Sequence, residues 1–484
     1  MNIDKINNYI LESYHHSSDI VTRKINVKET DILCIYLESV ASDDKISELL
    51  MKEINTYIKN KILTVNLFDK LKNTIPNSHI TVESKLEDCF TKLASGFTCI
   101  FIDGDKQYIT VETKSKLDRG ITESTSESIV RGPKDSFTEN NSTNLGLIRK
   151  RIKDKNLWYD EIKIGRRTNT KVTIAYINGI ANEHIVNNIK EKLNKIDIDG
   201  IIDSGNIRDF LIQNQSIFPE IKSTERPDLA CNSLLEGKII ILVENTPFTL
   251  ILPITLNDFL HASEDYYQKS SNVSFTRILR YISFLITITI PGLYTALTTF
   301  NQEIIPDQLL ISLAIQRDGV PFSTVFELVI MIITFEILRE SDIRLPSTMG
   351  AAISIVGALV LGEAAVSAGI VSPIVIIVVA ITSICGLLFT DIDFVNAIRW
   401  WRFIFIIFSA TAGLIGFVIA AVLFINKLAS ITFDNVCYLA PFSPLYVKSI
   451  NDSIIKLPNN KLKNRSPYIT KNTTKLGDKK WKKY

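Results

Sequence analysis

Residues Leu345 to Phe389 read LPSTMGAAISIVGALVLGEAAVSAGIVSPIVIIVVAITSICGLLF, 45 residues with one formal charge, Glu363. A helix crosses the hydrocarbon of a bilayer with roughly 20 apolar residues, so the run is long enough for two crossings. Pro373, following Gly369 and Ser372, marks the turn between them. A lone carboxyl in such a run is costly unless it faces water, a pore or a partner. The run therefore reads as membrane-spanning, and Glu363 is its most conspicuous residue.

At about 100° per residue, Met349, Ala352, Val356, Leu359, Val360, Glu363, Ser367 and Ile370 share one face of a helix over Met349 to Val371. The other side carries Ala351, Ser354, Gly357, Ala358, Ala365 and Ala368, small residues that let helices approach closely in lipid. Such a helix suits a pore wall or an oligomer. A ring of Glu363 would favour cations, with Val356, Leu359 or Val360 as a hydrophobic gate. The competing reading is a protonated or hydrogen-bonded Glu363 between packed helices.

Outward from this run the composition splits. The chain has 484 residues, 46% of them hydrophobic. Residues before about 245 mix charged and apolar residues as soluble proteins do, whereas 278–426 is dominated by Ile, Val, Leu, Phe, Ala and Gly. From Lys427 onward there are 12 Lys/Arg against Asp434, Asp452 and Asp478. A basic tail beside a membrane segment belongs on the cytoplasmic side. It reads as a solvated tail, with anionic lipid as the alternative contact. The net charge of +2 is too small to imply nucleic-acid binding. Six cysteines at 34, 89, 99, 231, 385 and 437 contain no CxxC pair and fit a reducing compartment. Met1 to His16 lacks the apolar core of a signal peptide, so the soluble half is expected in the cytosol.

Five regions are expected: an α/β subdomain over 1–113, a polar connector over 114–144, a second α/β subdomain over 145–245, a helical membrane domain over 246–426, and the basic tail over 427–484. The fold class is thus an α/β cytosolic region of two subdomains, a polytopic α-helical membrane domain and a cytosolic tail. Strands are expected at Asp31 to Glu38, Phe97 to Gly104, Gln107 to Val111, Trp158 to Ile164, Lys171 to Ile177, Gly200 to Ile202 and Lys238 to Val243. No repeat with a solenoid period is visible. In the membrane half the candidates are 280–299, interrupted by Pro291-Gly292; Phe322 to Leu338, carrying Glu327 and Glu336; Met349 to Val371; Pro373 to Phe389; and Phe403 to Ile425 behind the interfacial anchor Arg399-Trp-Trp-Arg402. Phe248 to Leu260 is apolar but short, and reads as interfacial or re-entrant. The basic tail requires an even number of crossings, four or six.

Glu327, Glu336, Arg339, Glu340 and Arg344 read as an interfacial patch of ion pairs. Arg131, Arg166 and Arg167 are candidates for soluble-domain assembly or anion contacts, set against the simpler reading of a solvated face. There is no P-loop, GxSxG, HExxH or paired Cys/His set. The residues point to no enzyme, no catalytic or metal site and no cofactor.

Several strings occur in one order: Arg131-Gly-Pro-Lys-Asp-Ser-Phe-Thr-Glu139, Thr143-Asn-Leu-Gly-Leu-Ile-Arg149, Gly165-Arg-Arg167, Asp203-Ser-Gly205, Thr224-Glu-Arg-Pro-Asp228, Leu234-Leu-Glu-Gly237, Thr246-Pro-Phe248, Glu264-Asp-Tyr-Tyr267, Ala296-Leu-Thr-Thr-Phe300, Gly319-Val-Pro-Phe322 and Tyr438-Leu-Ala-Pro441. In these the chain resembles the A subunit of the GerA family of spore germination receptors, from about Ser18 to Pro444. The resemblance implies a multi-pass protein of the inner membrane of the dormant spore, its N-terminal region in the spore core. It implies a transporter-like B subunit and a lipoprotein C subunit as partners. It also implies homo-oligomerisation into a ligand-gated ion channel that releases ions on nutrient sensing and so triggers germination. The alternatives are a solute transporter, a non-conducting scaffold, or the A-like subunit of a dipicolinate channel. Where Glu363 stands the family commonly has Gln, so a polar group there matters beyond its charge. Glu244-Asn245 replaces the family's usual Asp-Gly before Thr246.

Overall fold

The computed structural model describes residues 2–27, 30–52, 54, 67–77, 79–115, 127, 131–212, 216–344, 360, 362–450, 452–458 and 460–475. The chain forms two compact units: Met1–Gln213, Ile221–Ile254 and Lys463–Tyr484 make the first, Asn214–Glu220 and Thr255–Leu462 the second.

The first unit holds two antiparallel sheets. β1 (Ile20–Val27), β2 (Thr30–Leu37), β3 (Ile80–Glu83), β4 (Phe97–Ile102) and β5 (Tyr108–Glu112) lie in the order β1-β2-β4-β5-β3. β6 (Leu157–Ile164), β7 (Thr170–Ile177), β8 (Lys222–Thr224), β9 (Ile239–Val243) and β10 (Thr249–Leu252) lie in the order β6-β7-β9-β10-β8. The two orders are the same. The helices match as well: Ile3–Ser13 with Asn141–Arg151, Leu67–Thr74 with Ser204–Leu211, and Leu86–Ala94 with Pro227–Leu235. Ile3 to Asn141 is 138 positions and Phe97 to Ile239 is 142, so the offset is nearly constant. This half of the protein is one α/β motif built twice.

Both faces of each sheet are covered, and the sequence shows it. In β2, Leu33, Ile35 and Leu37 pack with Ile3, Ile6 and Ile10. Ile32 and Cys34 point the other way, into Ile46, Leu50, Ile54 and Leu71. All five residues of β9 are buried, which explains its unbroken Ile-Ile-Ile-Leu-Val. Asn140, Asn182 and Asp203 cap helices by accepting backbone N–H groups. Gly96 (φ +83°) and Gly237 (φ +93°) leave the equivalent helices of the two copies in a left-handed conformation that favours glycine.

Three expectations change here. Phe248 to Leu260 is not an interfacial segment: Thr249–Leu252 is β10, paired on both sides and fully buried, and Leu256–Leu260 is a short helix behind Thr255. A strand covered on both faces is apolar at every position and mimics a short membrane segment. Gly200 to Ile202 joins no sheet; the Ile201 carbonyl instead accepts the Thr170 hydroxyl. Residues 463–475 are not a solvated tail. Arg465 Nε donates to the Leu235 carbonyl at 2.6 Å, and its Nη1 to the Thr474 carbonyl at 2.7 Å. Asn472 Nδ2 reaches the Gly179 carbonyl at 2.8 Å, and Thr470 donates to the Ile180 carbonyl. Leu235 ends the Pro227–Leu235 helix, where unpaired carbonyls attract a cation.

The second unit is helical: Ser270–Thr299, Asp307–Arg317, Thr324–Arg344, Pro373–Gly386 and Ile392–Ser430. Ser270–Thr299 and Ile392–Ser430 are long and apolar enough to cross a membrane, and Pro373–Gly386 is a shorter apolar helix. The last long element is not one straight span. Ala412 and Gly413 leave helical geometry, Gly413 with φ +59°. Trp401 and Phe424, 23 positions apart, have ring centroids 5.1 Å apart, whereas a straight helix would separate them by about 35 Å. Phe405 also meets Phe417 and Phe424. The chain therefore doubles back into two antiparallel arms, 392–411 and 414–430, and the Phe403 to Ile425 span straddles the turn. The Asn301 side chain accepts the Leu414 N–H at 3.0 Å and secures that turn. Near the open ends of the hairpin, Phe218, Phe259, Phe284, Phe394, Phe424 and Tyr438 form an aromatic cluster.

Candidate functional site

A buried polar hub lies among these helices and starts from a proline. Pro291 sits inside Ser270–Thr299 and has no N–H, so the Thr287 carbonyl four residues earlier lacks its helical donor. Arg402 supplies one: its Nε donates to that carbonyl at 3.1 Å. Gly292 makes the approach possible, since a Cβ there would lie 3.0 Å from Phe405 Cβ. Arg402 is 4% exposed. Its Nη1 also reaches Glu336 Oε1 at 3.4 Å, while Arg399 Nε lies 2.8 Å from Glu336 Oε2. One guanidinium thus joins Ser270–Thr299, Thr324–Arg344 and the first hairpin arm.

A second carboxylate fastens the start of Thr324–Arg344. Glu327, 1% exposed, accepts from the Ser372 N–H at 2.9 Å and the Ser372 hydroxyl at 2.8 Å. Ser372 is the N-cap of Pro373–Gly386, where a negative charge is favoured. Arg317 Nε stands 3.8 Å from Glu327 Oε1.

These contacts revise the sequence reading. Glu327 and Glu336 do not share a patch; nine residues at about 100° each place them on opposite faces. Arg399-Trp-Trp-Arg402 is not a uniform interfacial anchor. Trp400 is exposed, but Trp401 is buried against Phe424 and Arg402 enters the hub. The hub was missed because Arg402 meets Thr287 across 115 positions and Glu336 across 66. Pro291 was the one available signal that a carbonyl near Thr287 needed a donor.

Before the first long helix, Asp265 accepts from Arg277 Nε at 3.0 Å and Arg280 Nη1 at 2.9 Å. Burial pushes the Asp265 carboxyl up, but Arg280 and Arg277 together hold it below the usual carboxylate range. Arg277 Nη1 also donates to the Asp452 carbonyl at 2.7 Å. The His261 ring lies 2.8 Å from the Ser453 carbonyl, and burial, with Arg277 nearby, pushes its imidazole down to about 3. Burial and Arg277 lower the Lys456 ammonium too. Residues preceding the first helix are thereby tied to residues following the hairpin.

Among the candidates from sequence, Val356 and Leu359 lie outside the described residues. Val360 and Glu363 are both exposed, while Gly362 between them turns inward toward Ile376. Arg166 pairs with Asp197 at 2.6 Å and Arg167 with Asp199 at 2.8 Å, all four exposed. Arg131 is exposed. The hub does not include any of these. Among the described residues no group of three His, Cys, Asp or Glu could hold a metal ion.

Residues 8–468 match the family model described as Bacillus/Clostridium GerA spore germination protein. The chain is 38% identical to spore germination protein KA of Bacillus subtilis (strain 168), over 91% of this chain and 82% of that one. It is 30% identical to spore germination protein GerLA of Bacillus cereus, over 98% and 97%. An uncharacterized membrane protein of Bacillus subtilis (strain 168), YfkQ, is 33% identical over 91% and 86%. Among solved structures, the N-terminal domain of the A subunit of the Bacillus megaterium germinant receptor GerK3 matches with TM-score 0.41 and 33% identity, over 52% of this chain and 94% of that one.

Proposed function

The chain belongs to the GerA family of spore germination proteins, and on that premise we propose that it is the channel-forming A subunit of a nutrient germinant receptor. In this reading it sits in the inner membrane of the dormant spore, with its α/β region and its C-terminal end on the cytosolic side. It works with a B subunit and a C subunit and opens an ion pathway when nutrient binds its partner. Nutrient shifts the population only if it binds the open arrangement better.

The topology is supported by chain continuity. The chain leaves the first unit after Ile254 and returns to it at Lys463. That return supports the reading in which both ends of the helical unit lie on one side of the membrane and the number of crossings is even. Six would be 270–299, 324–344, the segment ending at 371, 373–386, 392–411 and 414–430.

The observation that carries the channel reading is the exposure of Val360 and Glu363 on a single chain. An outward carboxylate on an apolar helix needs water or a partner. Copies of the chain arranged around an axis would supply both, with Val356, Leu359, Val360 and Glu363 lining the pore. The test is current through liposomes holding the full chain with its B and C partners. Val360→Ala should raise current and Glu363→Leu lower it, while Glu363→Gln stays near wild type. Absence of current from every variant, with nutrient present, would sink the channel reading.

A further inference from the structure

We propose that Arg402 is a positioning residue for the resting state of the receptor: it pins Thr324–Arg344 against Ser270–Thr299, and activation requires its pair with Glu336 to part. This rests on the receptor reading above and deepens it.

Four observations carry the proposal. First, Thr324–Arg344 is held by two carboxylates on opposite faces, one near its start and one just past its middle, Glu327 to Ser372 and Glu336 to Arg399 and Arg402. Two such fasteners define one rotational setting of the helix, and turning it must break at least one. Second, the two differ in quality. Glu327, 1% exposed, accepts two short hydrogen bonds at a helix N-cap, whereas Glu336 is partly exposed, lies 2.8 Å from Arg399 Nε and is reached by Arg402 only at 3.4 Å. Water competes at Glu336 and not at Glu327, so the Arg402–Glu336 contact is the one that parts first. Third, Arg402 is held in place independently of Glu336, because the carbonyl freed by Pro291 accepts its Nε. The guanidinium therefore stays put as a fixed catch while the helix carrying Glu336 moves. Fourth, Thr324–Arg344 is the helix that precedes the candidate pore segment in sequence, separated from Met349 by four residues.

Parting the pair leaves the buried Arg402 with the Thr287 carbonyl alone, while Glu336 keeps Arg399, so the contact is either made or lost.

The experiment uses spores carrying the full receptor, with nutrient-independent germination as the readout and the amount of each variant checked by immunoblot. Glu336→Gln and Arg402→Gln should each raise nutrient-independent germination about tenfold. The double variant should fall short of the sum of the singles, because both remove the Arg402–Glu336 contact, while each also loses a second partner, Arg399 or the Thr287 carbonyl. Arg402→Lys keeps the charge but loses the planar fork, and should give a smaller rise; it also keeps the test open should Arg402→Gln fail to accumulate. Pro291→Ala gives the Thr287 carbonyl its helical donor, loosens the catch and should shift germination the same way. Wild-type germination without nutrient in Glu336→Gln and Arg402→Lys, at wild-type amounts, overturns the proposal. So does an additive double variant. Amide exchange over 324–344 in the purified full chain reads the pin without any current. Unchanged exchange in Glu336→Gln overturns the proposal even where the liposome currents uphold the channel, and faster exchange supports it even where those currents are absent.

Discussion

Each unit of this protein sets buried arginines against carboxylates, and two of these pairs, Arg149 with Asp19 and Arg402 with Glu336, are built differently. In the first unit Arg149 lies fully buried against Asp19, with Nη2 at 3.0 Å and Nε at 3.3 Å. Its Nη1 donates to the Leu157 carbonyl at 2.9 Å, and the rings of Tyr159 and Tyr14 lie over the guanidinium at 4.6 and 5.5 Å. Burial alone would weaken its charge, yet Asp19 holds the Arg149 pKa above its usual range. Asp19 in turn accepts from Ser17 and Ser39. Asp19 precedes the first sheet and Arg149 ends the helix that precedes the second, so the pair rivets the two copies of the α/β motif together. Arg402 has a carbonyl and one longer contact to Glu336. The α/β half is fastened here by a saturated pair, whereas the helical half holds both a saturated one, Asp265 with Arg277 and Arg280, and the looser one at Arg402.

Removing the rivet should have the largest effect. Arg149→Ala or Asp19→Ala leaves the other charge buried without its partner, a loss of about 3–5 kcal/mol. Thermal unfolding of the purified chain should show it as a markedly lower midpoint. A small shift would mean that the pair does not bind the two copies, and the contrast with Arg402 would collapse. Next comes the hairpin turn. Gly413→Ala places a Cβ 2.7 Å from Asn301 Oδ1 and Phe300 Cβ at a φ of +59°, and should cost about 2–3 kcal/mol. A tolerated alanine would argue that 392–430 is a single straight helix after all.

How far this was visible in the sequence depends on the period and range of each signal. β2, β6, β7 and β9 were legible because burial writes itself into neighbouring residues. The duplication was not: the copies share a pattern of elements about 140 positions apart, and a pattern with substituted residues has no string to match. The hairpin was hidden because Ala412-Gly413 lies within an apolar run, and hydropathy does not register a left-handed glycine. The Leu235 carbonyl that receives Arg465 lies 230 positions away, so the end of the chain looked merely basic. Arg402 was read for its charge beside tryptophan, since nothing local shows that a proline more than a hundred positions earlier had freed a carbonyl for it.

A pH effect of smaller size sharpens the contrast inside the helical unit. The folded His261 pKa is pushed down to about 3, against about 6.5 when unfolded. Protons then bind the unfolded chain preferentially, so stability is full above pH 6.5 and is lost as pH falls toward 3. At pH 5 the loss is up to about 2 kcal/mol. The groups facing this ring are Arg277, Asp265 and Asp258. The lowered Asp265 carboxyl acts in a separate window, its stabilisation lost only as pH drops below about 4. Unfolding midpoints of wild type and His261→Gln between pH 7 and pH 5 test this, and the variant should show the shallower slope. Equal slopes would place the His261 ring in water.

The smallest effect is expected where the sequence had offered the clearest basic cluster. Arg166 and Arg167 are exposed and already paired with Asp197 and Asp199. Exposed pairs contribute little, because water and salt compete for each partner. Arg166→Ala with Arg167→Ala should leave the unfolding midpoint unchanged. The same double variant separates the two roles that exposure leaves open. If these residues contact a neighbouring copy, the receptor extracted from membranes should run as a smaller species, with the isolated chain as stable as before. If the assembly is also unchanged, the cluster is a solvated face, and the arginines that matter to this protein lie among its buried ones, Arg149 and Arg402 included.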